Sequence, residues 1–74
     1  MTYTQQEQNY MELIENNLQF FNCGRRKKLQ VKYYVVADQN KVKVLWGDVV
    51  IANELTIQEA HAFCWGFTRA KEGR

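Results

Sequence analysis

Two capping boxes near the two ends of the sequence constrain the fold more than any other feature. The first is Thr4-Gln-Gln-Glu7 and the second is Thr56-Ile-Gln-Glu59. In a capping box the threonine hydroxyl accepts a hydrogen bond from a free N–H of the first helical turn, and the glutamate accepts one from the N–H of the threonine. Each box therefore predicts the start of a helix, and the rest of the fold must lie between the two helices.

The residues after each box have the apolar spacing of an amphipathic helix. The first helix is expected to end near Gly24, which suits a helix C-terminus, and the second to fray near Gly73. Leu55 and Ala60 flank the second box at the positions of a hydrophobic staple. The expected apolar stripe of the first helix comprises Tyr10, Met11, Leu13, Ile14, Leu18, Phe20 and Phe21, and that of the second comprises Ile57, Ala60, Phe63, Cys64 and Phe67.

Between the helices the sequence alternates with period two, which predicts strands. Residues 29–37 alternate first, and Asp38-Gln39-Asn40 supplies turn residues for a hairpin. A return strand then ends at Trp46, and Gly47-Asp48 turns the chain into a third strand from Val49. The predicted fold class is α+β with the order α-β-β-β-α. We expect a three-stranded antiparallel meander packed against two helices on one face, as a single domain over residues 1–74.

The chain has no sequence features of secretion or membrane insertion. No apolar stretch is longer than five residues, whereas a membrane-spanning helix needs about 20. Its first residues lack the basic flank and apolar run of a secretion signal. Small secreted domains are usually rich in disulfides, so Cys23 and Cys64 are expected to be free thiols in the cytoplasm, with one disulfide between them as the alternative. No membrane partner is expected.

Catalytic and metal-binding patterns are weak, and the expectation is that the protein is not an enzyme. His61 precedes Cys64 by three residues, which permits contact on a helix, but Cys64 lies in the apolar stripe, where cysteine behaves as a small hydrophobe. Two distant cysteines and one histidine do not match a zinc spacing. The four glycines are scattered and form no phosphate-binding loop. No catalytic residue, cofactor or metal site is predicted.

The net charge of +2 conceals a strong asymmetry along the chain. Residues 1–22 carry a charge of −3, residues 23–46 carry +6 and residues 47–74 carry −1. Basic side chains around an aromatic ring form a minimal layout for binding single-stranded nucleic acid. The alternative is that these residues only keep an exposed strand soluble. The candidate nucleic-acid contacts are Arg25, Arg26, Lys27, Lys28, Lys32, Tyr34, Lys41 and Lys43.

Two other surfaces are candidates for binding a protein. If both helices cover one face of the sheet, the other face carries an apolar patch beside lysines, as interaction sites often do. On the second helix, three residues recur every four positions away from the apolar stripe, and tryptophan and arginine are enriched at binding hot spots. The alternative is that the tryptophan packs against the first helix or the C-terminus of the chain, which leaves the histidine partly exposed to solvent. The candidate partner-binding residues are Tyr34, Val36, Leu45 and Val50 on the sheet, and His61, Trp65 and Arg69 on the helix.

The segment from Gly47 to His61, followed by an aromatic-rich helix in a short chain without proline, resembles the small accessory proteins of bacteriophages. That resemblance implies a protein made in the cytoplasm of a bacterial host that binds a host or phage macromolecule and changes its activity. It implies no catalytic residue, because no family motif is matched.

The leading hypothesis is a non-enzymatic protein-binding module, acting as an inhibitor or adaptor. The alternative is a nucleic-acid-binding protein that uses the basic hairpin. A homodimer whose sheets pair by an edge or a face is compatible with both hypotheses, because a three-stranded sheet has two free edges.

Overall fold

The computed structural model describes residues 3–73 and confirms the predicted α+β order α-β-β-β-α. The sheet is antiparallel with strand order β1-β2-β3, so the strands form a meander. The helices and strands are α1 (Gln5–Asn22), β1 (Leu29–Val36), β2 (Gln39–Trp46), β3 (Val49–Leu55) and α2 (Ile57–Gly73).

Both capping boxes form as predicted. In the first, the N–H of Glu7 donates to the Thr4 hydroxyl at 3.1 Å and the N–H of Thr4 donates to the Glu7 carboxylate at 2.9 Å. Thr56 and Glu59 make the same two bonds at 3.1 and 2.9 Å. Gly24 follows the end of α1 with a φ of +77°, the left-handed conformation that glycine adopts most readily there.

The first hairpin turn is tighter than the sequence predicts. It consists of Ala37 and Asp38 alone, with φ values of +50° and +63°, while Gln39 and Asn40 already belong to β2. Two central residues with positive φ define a type I′ turn, whose twist matches that of the flanking strands. The expected turn over residues 38–40 was therefore misplaced, because an alanine in the left-handed region carries no sequence signal.

One face of the sheet is covered by both helices, as expected, and we call it the inner face. On it Leu29 pairs with Trp46, Val31 with Val44 and Tyr33 with Val42. α1 packs on α2 and β1, and α2 packs on β2 and β3. The buried apolar core consists of Ile14, Leu18, Phe21, Leu29, Val42, Val44, Ile57, Ala60 and Cys64.

The buried face of α1 is narrower than its apolar stripe. Leu13 is 49% exposed and Phe20 is 77% exposed, although both were expected in the core. The two helices are neighbours that run in the same direction. Tyr10 of α1 packs on His61 of α2, and seven residues further along each helix the Thr68 hydroxyl is 3.4 Å from Asn17 Oδ1. The side chains of α1 that face α2 and β1 are buried by those two elements. Leu13 and Phe20 lie on a part of the helix surface that faces neither element.

Candidate functional site

The face of the sheet opposite the helices is uncovered, and we call it the outer sheet face. Because side chains alternate along a strand, it carries the even-numbered residues of β1 and their partners on β2. Within the described residues neither helix packs on it, since the helix contacts lie on the inner face. Its β1 and β2 residues are Gln30, Lys32, Tyr34, Val36, Gln39, Lys41, Lys43 and Leu45, and β3 adds Val50 beside Leu45.

Apolar side chains lie at both ends of the outer sheet face. Val36 is 42% exposed beside the hairpin turn, and Val50 is 47% exposed near the other end. Leu45 is half-buried and pairs directly with Val50. These positions were predicted from the sequence, and the structure brings Leu45 and Val50 together while Val36 lies apart from them.

Lysines occupy the middle of the outer sheet face. Lys32 on β1 is directly opposite Lys43 on β2, and Lys41 is next along β2 on the same side. Like charges directly opposite each other destabilise an antiparallel pair. No acidic residue of β1 or β2 shares this face, because neither strand contains one. The lysines therefore form a cationic centre between two apolar ends.

Tyr34 lies among these lysines, and two hydrogen bonds hold its hydroxyl. Its hydroxyl donates to Asn53 Oδ1 at 2.6 Å and accepts from the N–H of Glu54 at 3.0 Å. The Lys43 ammonium lies 5.9 Å from the centre of its ring. The two bonds reach across β2 to an irregular part of β3, where Glu54 has a φ of +56°. Asn53 was not predicted, since an asparagine in a strand does not indicate its partner.

The predicted residues of α2 lie in the helix layer, on the other side of the molecule. Trp65 is 51% exposed, and the Arg69 guanidinium lies 5.3 Å from the centre of its indole ring. The His61 ring packs on Tyr10 with ring centres 5.3 Å apart. The predicted partner-binding residues therefore divide between two surfaces, the outer sheet face and the helix layer.

The basic connector between α1 and β1 is largely occupied by contacts within the protein. Arg25 Nε donates to the carbonyl of Phe21 at 2.9 Å, and its guanidinium lies 4.0 Å from the centre of that ring. Lys28 Nζ donates to the carbonyl of Asn22 at 2.8 Å. The Lys27 ammonium lies 5.5 Å from the Trp46 ring. These contacts close the end of α1 and the edge of the core.

An open cleft adjoins the connector at the Leu45 end of the sheet. It has a volume of about 440 Å³ and is mainly cationic, with one carboxylate from Asp48. Gly47 suits this position, because its φ of +67° lies in the left-handed region that glycine adopts most readily and a Cβ would lie 3.0 Å from the Lys27 side chain. The lining residues are Arg26, Lys27, Lys28, Gln30, Gly47 and Asp48.

The two cysteines are free thiols, as predicted, and they lie in different environments. Cys23 is exposed and Cys64 is buried in the core. Burial raises the pKa of the Cys64 thiol to about 11, so the thiol is protonated at neutral pH. A protonated core thiol three residues from His61 has the environment of a structural cysteine.

Residues 3–73 show neither a metal-binding cluster nor a membrane-spanning helix. Their acidic, histidine and cysteine side chains form no group of three or more that could hold a metal ion. Neither helix in this part of the chain is both long and apolar enough to span a bilayer.

Comparisons with protein-family models, with curated proteins and with solved structures gave no match. The surfaces of this small α+β domain are therefore the basis for assigning its function.

Proposed function

We propose that the protein is a non-enzymatic binding module that docks an acidic protein surface on its outer sheet face. Such a module acts as an inhibitor or adaptor, in the manner that the resemblance to bacteriophage accessory proteins implies. The observation that carries the proposal is the direct pairing of Lys32 with Lys43 on an uncovered face.

This lysine pair is unfavourable in the free protein. Cross-strand pairs contribute roughly 0.2–1 kcal/mol, and like charges directly opposite each other have the unfavourable sign. A carboxylate placed between Lys32 and Lys43 reverses that sign, because it lies close to both ammonium groups. The lysines therefore favour binding at the expense of folding.

The apolar ends of the face favour a protein partner over a nucleic acid. Val36, Leu45 and Val50 are aliphatic, and aliphatic side chains contribute by being buried against other apolar groups. Binding of single strands relies on several aromatic rings that stack on successive bases. The outer sheet face has one such ring, Tyr34, whose hydroxyl is bound to β3.

The test is affinity capture from the native host with matched variants on the two sides of the molecule. Lys43→Glu and Leu45→Asp change the outer sheet face, while Trp65→Ala changes the helix layer. We expect both sheet variants to lose the captured protein and Trp65→Ala to retain it. Loss with Trp65→Ala together with retention by both sheet variants would place the site on α2 and contradict the proposal.

Nucleic-acid binding is a second candidate, favoured by one specific observation. Lys32, Lys41 and Lys43 share the outer sheet face with Tyr34, and the cationic cleft adjoins its Leu45 end. Binding of a single-stranded oligonucleotide would then weaken steeply as salt rises, because each neutralised phosphate releases counterions. Nuclease-sensitive capture with that salt dependence would replace the protein-binding proposal, and oligonucleotide binding that is absent at low salt would remove the second candidate.

A further inference from the structure

The turn between β1 and β2 determines which backbone groups of β1 point out of the sheet. In a two-residue hairpin the residues that flank the turn, here Val36 and Gln39, form a hydrogen-bonded pair. Hydrogen-bonded and non-hydrogen-bonded pairs then alternate along an antiparallel ladder. The even-numbered residues of β1 therefore bond to β2. The odd-numbered residues turn their N–H and C=O groups toward the open edge.

Asn22 at the end of α1 confirms this orientation at the first odd-numbered residue. The Leu29 N–H donates to Asn22 Oδ1 at 2.9 Å, and Asn22 Nδ2 donates to the Leu29 carbonyl at 2.8 Å. A carboxamide presents the same donor and acceptor as a peptide group. The asparagine side chain therefore pairs with Leu29 as a neighbouring strand would.

Beyond Leu29 the edge of β1 remains open. Within the described residues, no hydrogen bond joins the backbone of Val31, Tyr33 or Val35 to a group outside the sheet. The opposite edge differs, because β3 has register irregularities and a residue of positive φ at Glu54. Bulges of this kind blunt an edge strand. β1 pairs with β2 over all eight residues without a register shift, so it is the regular edge.

The helix layer extends past β1 on the inner side. α2 packs on β2 and β3, and α1 packs on α2 and on β1. Packed helices lie about 8–10 Å apart, while neighbouring strands lie about 4.8 Å apart. One helix spacing is therefore about two strand spacings. Since α2 lies over β2 and β3, α1 lies over β1 and extends past the edge of the sheet. A second copy paired through β1 would bring its own α1 into that space, so the edge suits an extended segment without a helix.

We propose that the β1 edge binds an extended segment of a partner protein as a fourth strand of the sheet. The segment pairs with Val31–Val35 and alternates apolar residues on the inner side with acidic residues on the outer side. This inference goes beyond the docking role of the outer sheet face, because it uses backbone groups of the edge.

The side chains along the β1 edge favour a segment with apolar residues on the inner side and acidic residues on the outer side. On the inner side, Val31 and Tyr33 are half-buried, as is Met11 on α1, so an added strand meets apolar surface. Burial, with a smaller contribution from the Glu15 carboxylate, raises the pKa of Tyr33 to about 12, so its hydroxyl stays neutral and this half-buried side favours an apolar residue over a charged one. On the outer side an added residue lies beside Lys32, which is exposed and favours a carboxylate.

The test uses a synthetic peptide of alternating valine and glutamate, followed by NMR and amide hydrogen exchange. In the free protein the amides of Val31, Tyr33 and Val35 should exchange much faster than those of Lys32 and Tyr34. Saturating peptide should slow exchange at these three amides. Val35→Pro removes one outward N–H, which an edge strand tolerates, and should weaken binding about tenfold or more.

Two further variants serve as controls. Val35→Thr keeps the N–H and should bind the valine–glutamate peptide as the wild type does. Lys32→Glu should weaken binding of that peptide and strengthen binding of a valine–lysine peptide.

Three results would overturn the proposal. The first is protection of the three edge amides in the free protein, with a dimer in light scattering that Val35→Pro dissociates. The second is peptide-induced shifts confined to Leu45 and Val50. The third is equal affinity of the Val35→Pro and Val35→Thr variants. Failure of the docking proposal would give a different result, because the Lys43→Glu variant would then capture the partner as the wild type does.

Discussion

The two faces of the sheet share one backbone and have opposite properties. On β2, Val42 and Val44 are fully buried on the inner face, while Lys43 between them points to the uncovered outer sheet face. On the inner face Val44 pairs with Val31, whereas on the outer sheet face Lys43 pairs with Lys32. This difference indicates that the inner face supplies most of the stability of the fold, and that the outer sheet face contributes less to it.

The largest expected difference between the faces is the cost of removing an apolar side chain. Phe21 is 2% exposed and packs on Trp46 and Phe67, with ring centres 5.9 and 6.4 Å apart. Phe21→Ala should lower the free energy of unfolding by about 3–5 kcal/mol, because it leaves a cavity under the inner face. Val50→Ala on the outer sheet face should cost less than about 1 kcal/mol, since Val50 is 47% exposed. Urea unfolding measures both values, and equal costs would contradict the division between the faces.

A second prediction uses the pH dependence of the inner core. Burial raises the pKa of Cys64 to about 11 from an ordinary value of 9.0, so the folded state holds this proton more tightly than the unfolded state. The stability gained is complete below pH 9 and is lost as the pH rises toward 11. The loss should be on the order of 2–3 kcal/mol.

Comparing the wild type with Cys64→Ala tests this assignment. The variant should show a shallower fall in unfolding free energy between pH 9 and pH 11, whatever its stability at neutral pH. Identical slopes for the two proteins would assign the alkaline loss to other groups, with Tyr33 the first candidate because its pKa is also raised.

The helices and strands could be predicted from the sequence because their signals are local. Each capping box is contained within four residues, and both helices start where the boxes indicate. The alternation of residues 29–36 determines which side of β1 is apolar without knowledge of its neighbours. The turn was misplaced because Asp38, Gln39 and Asn40 all suit turns, and only the backbone shows that Ala37 takes a positive φ.

The contacts at the candidate sites could not be predicted because they join residues that are distant in the sequence. Asn22 and Leu29 are seven positions apart, and Tyr34 and Asn53 are nineteen apart. The facing of Lys32 and Lys43 depends on the hairpin register, which the turn sets. A misplaced turn changes the register, so the sequence indicated a basic face but not its directly opposed lysine pair.

The smallest expected effect bears most directly on the purpose of the outer sheet face. Lys43→Glu replaces the repulsive pair with an attractive one, because a glutamate then lies opposite Lys32. The free energy of unfolding of the variant should be higher than that of the wild type by about 0.2–1 kcal/mol. The same variant should lose the captured partner. A substitution that improves folding and abolishes binding shows that the lysine pair is kept for the partner.

Lys41→Glu is the matched control for stability. Lys41 lies opposite Tyr34, so its replacement does not remove a directly opposed pair of like charges. If Lys43→Glu destabilises the protein, Lys43 supports the fold, through its contact with the Tyr34 ring, and the contrast between the two faces is smaller than their pairing indicates.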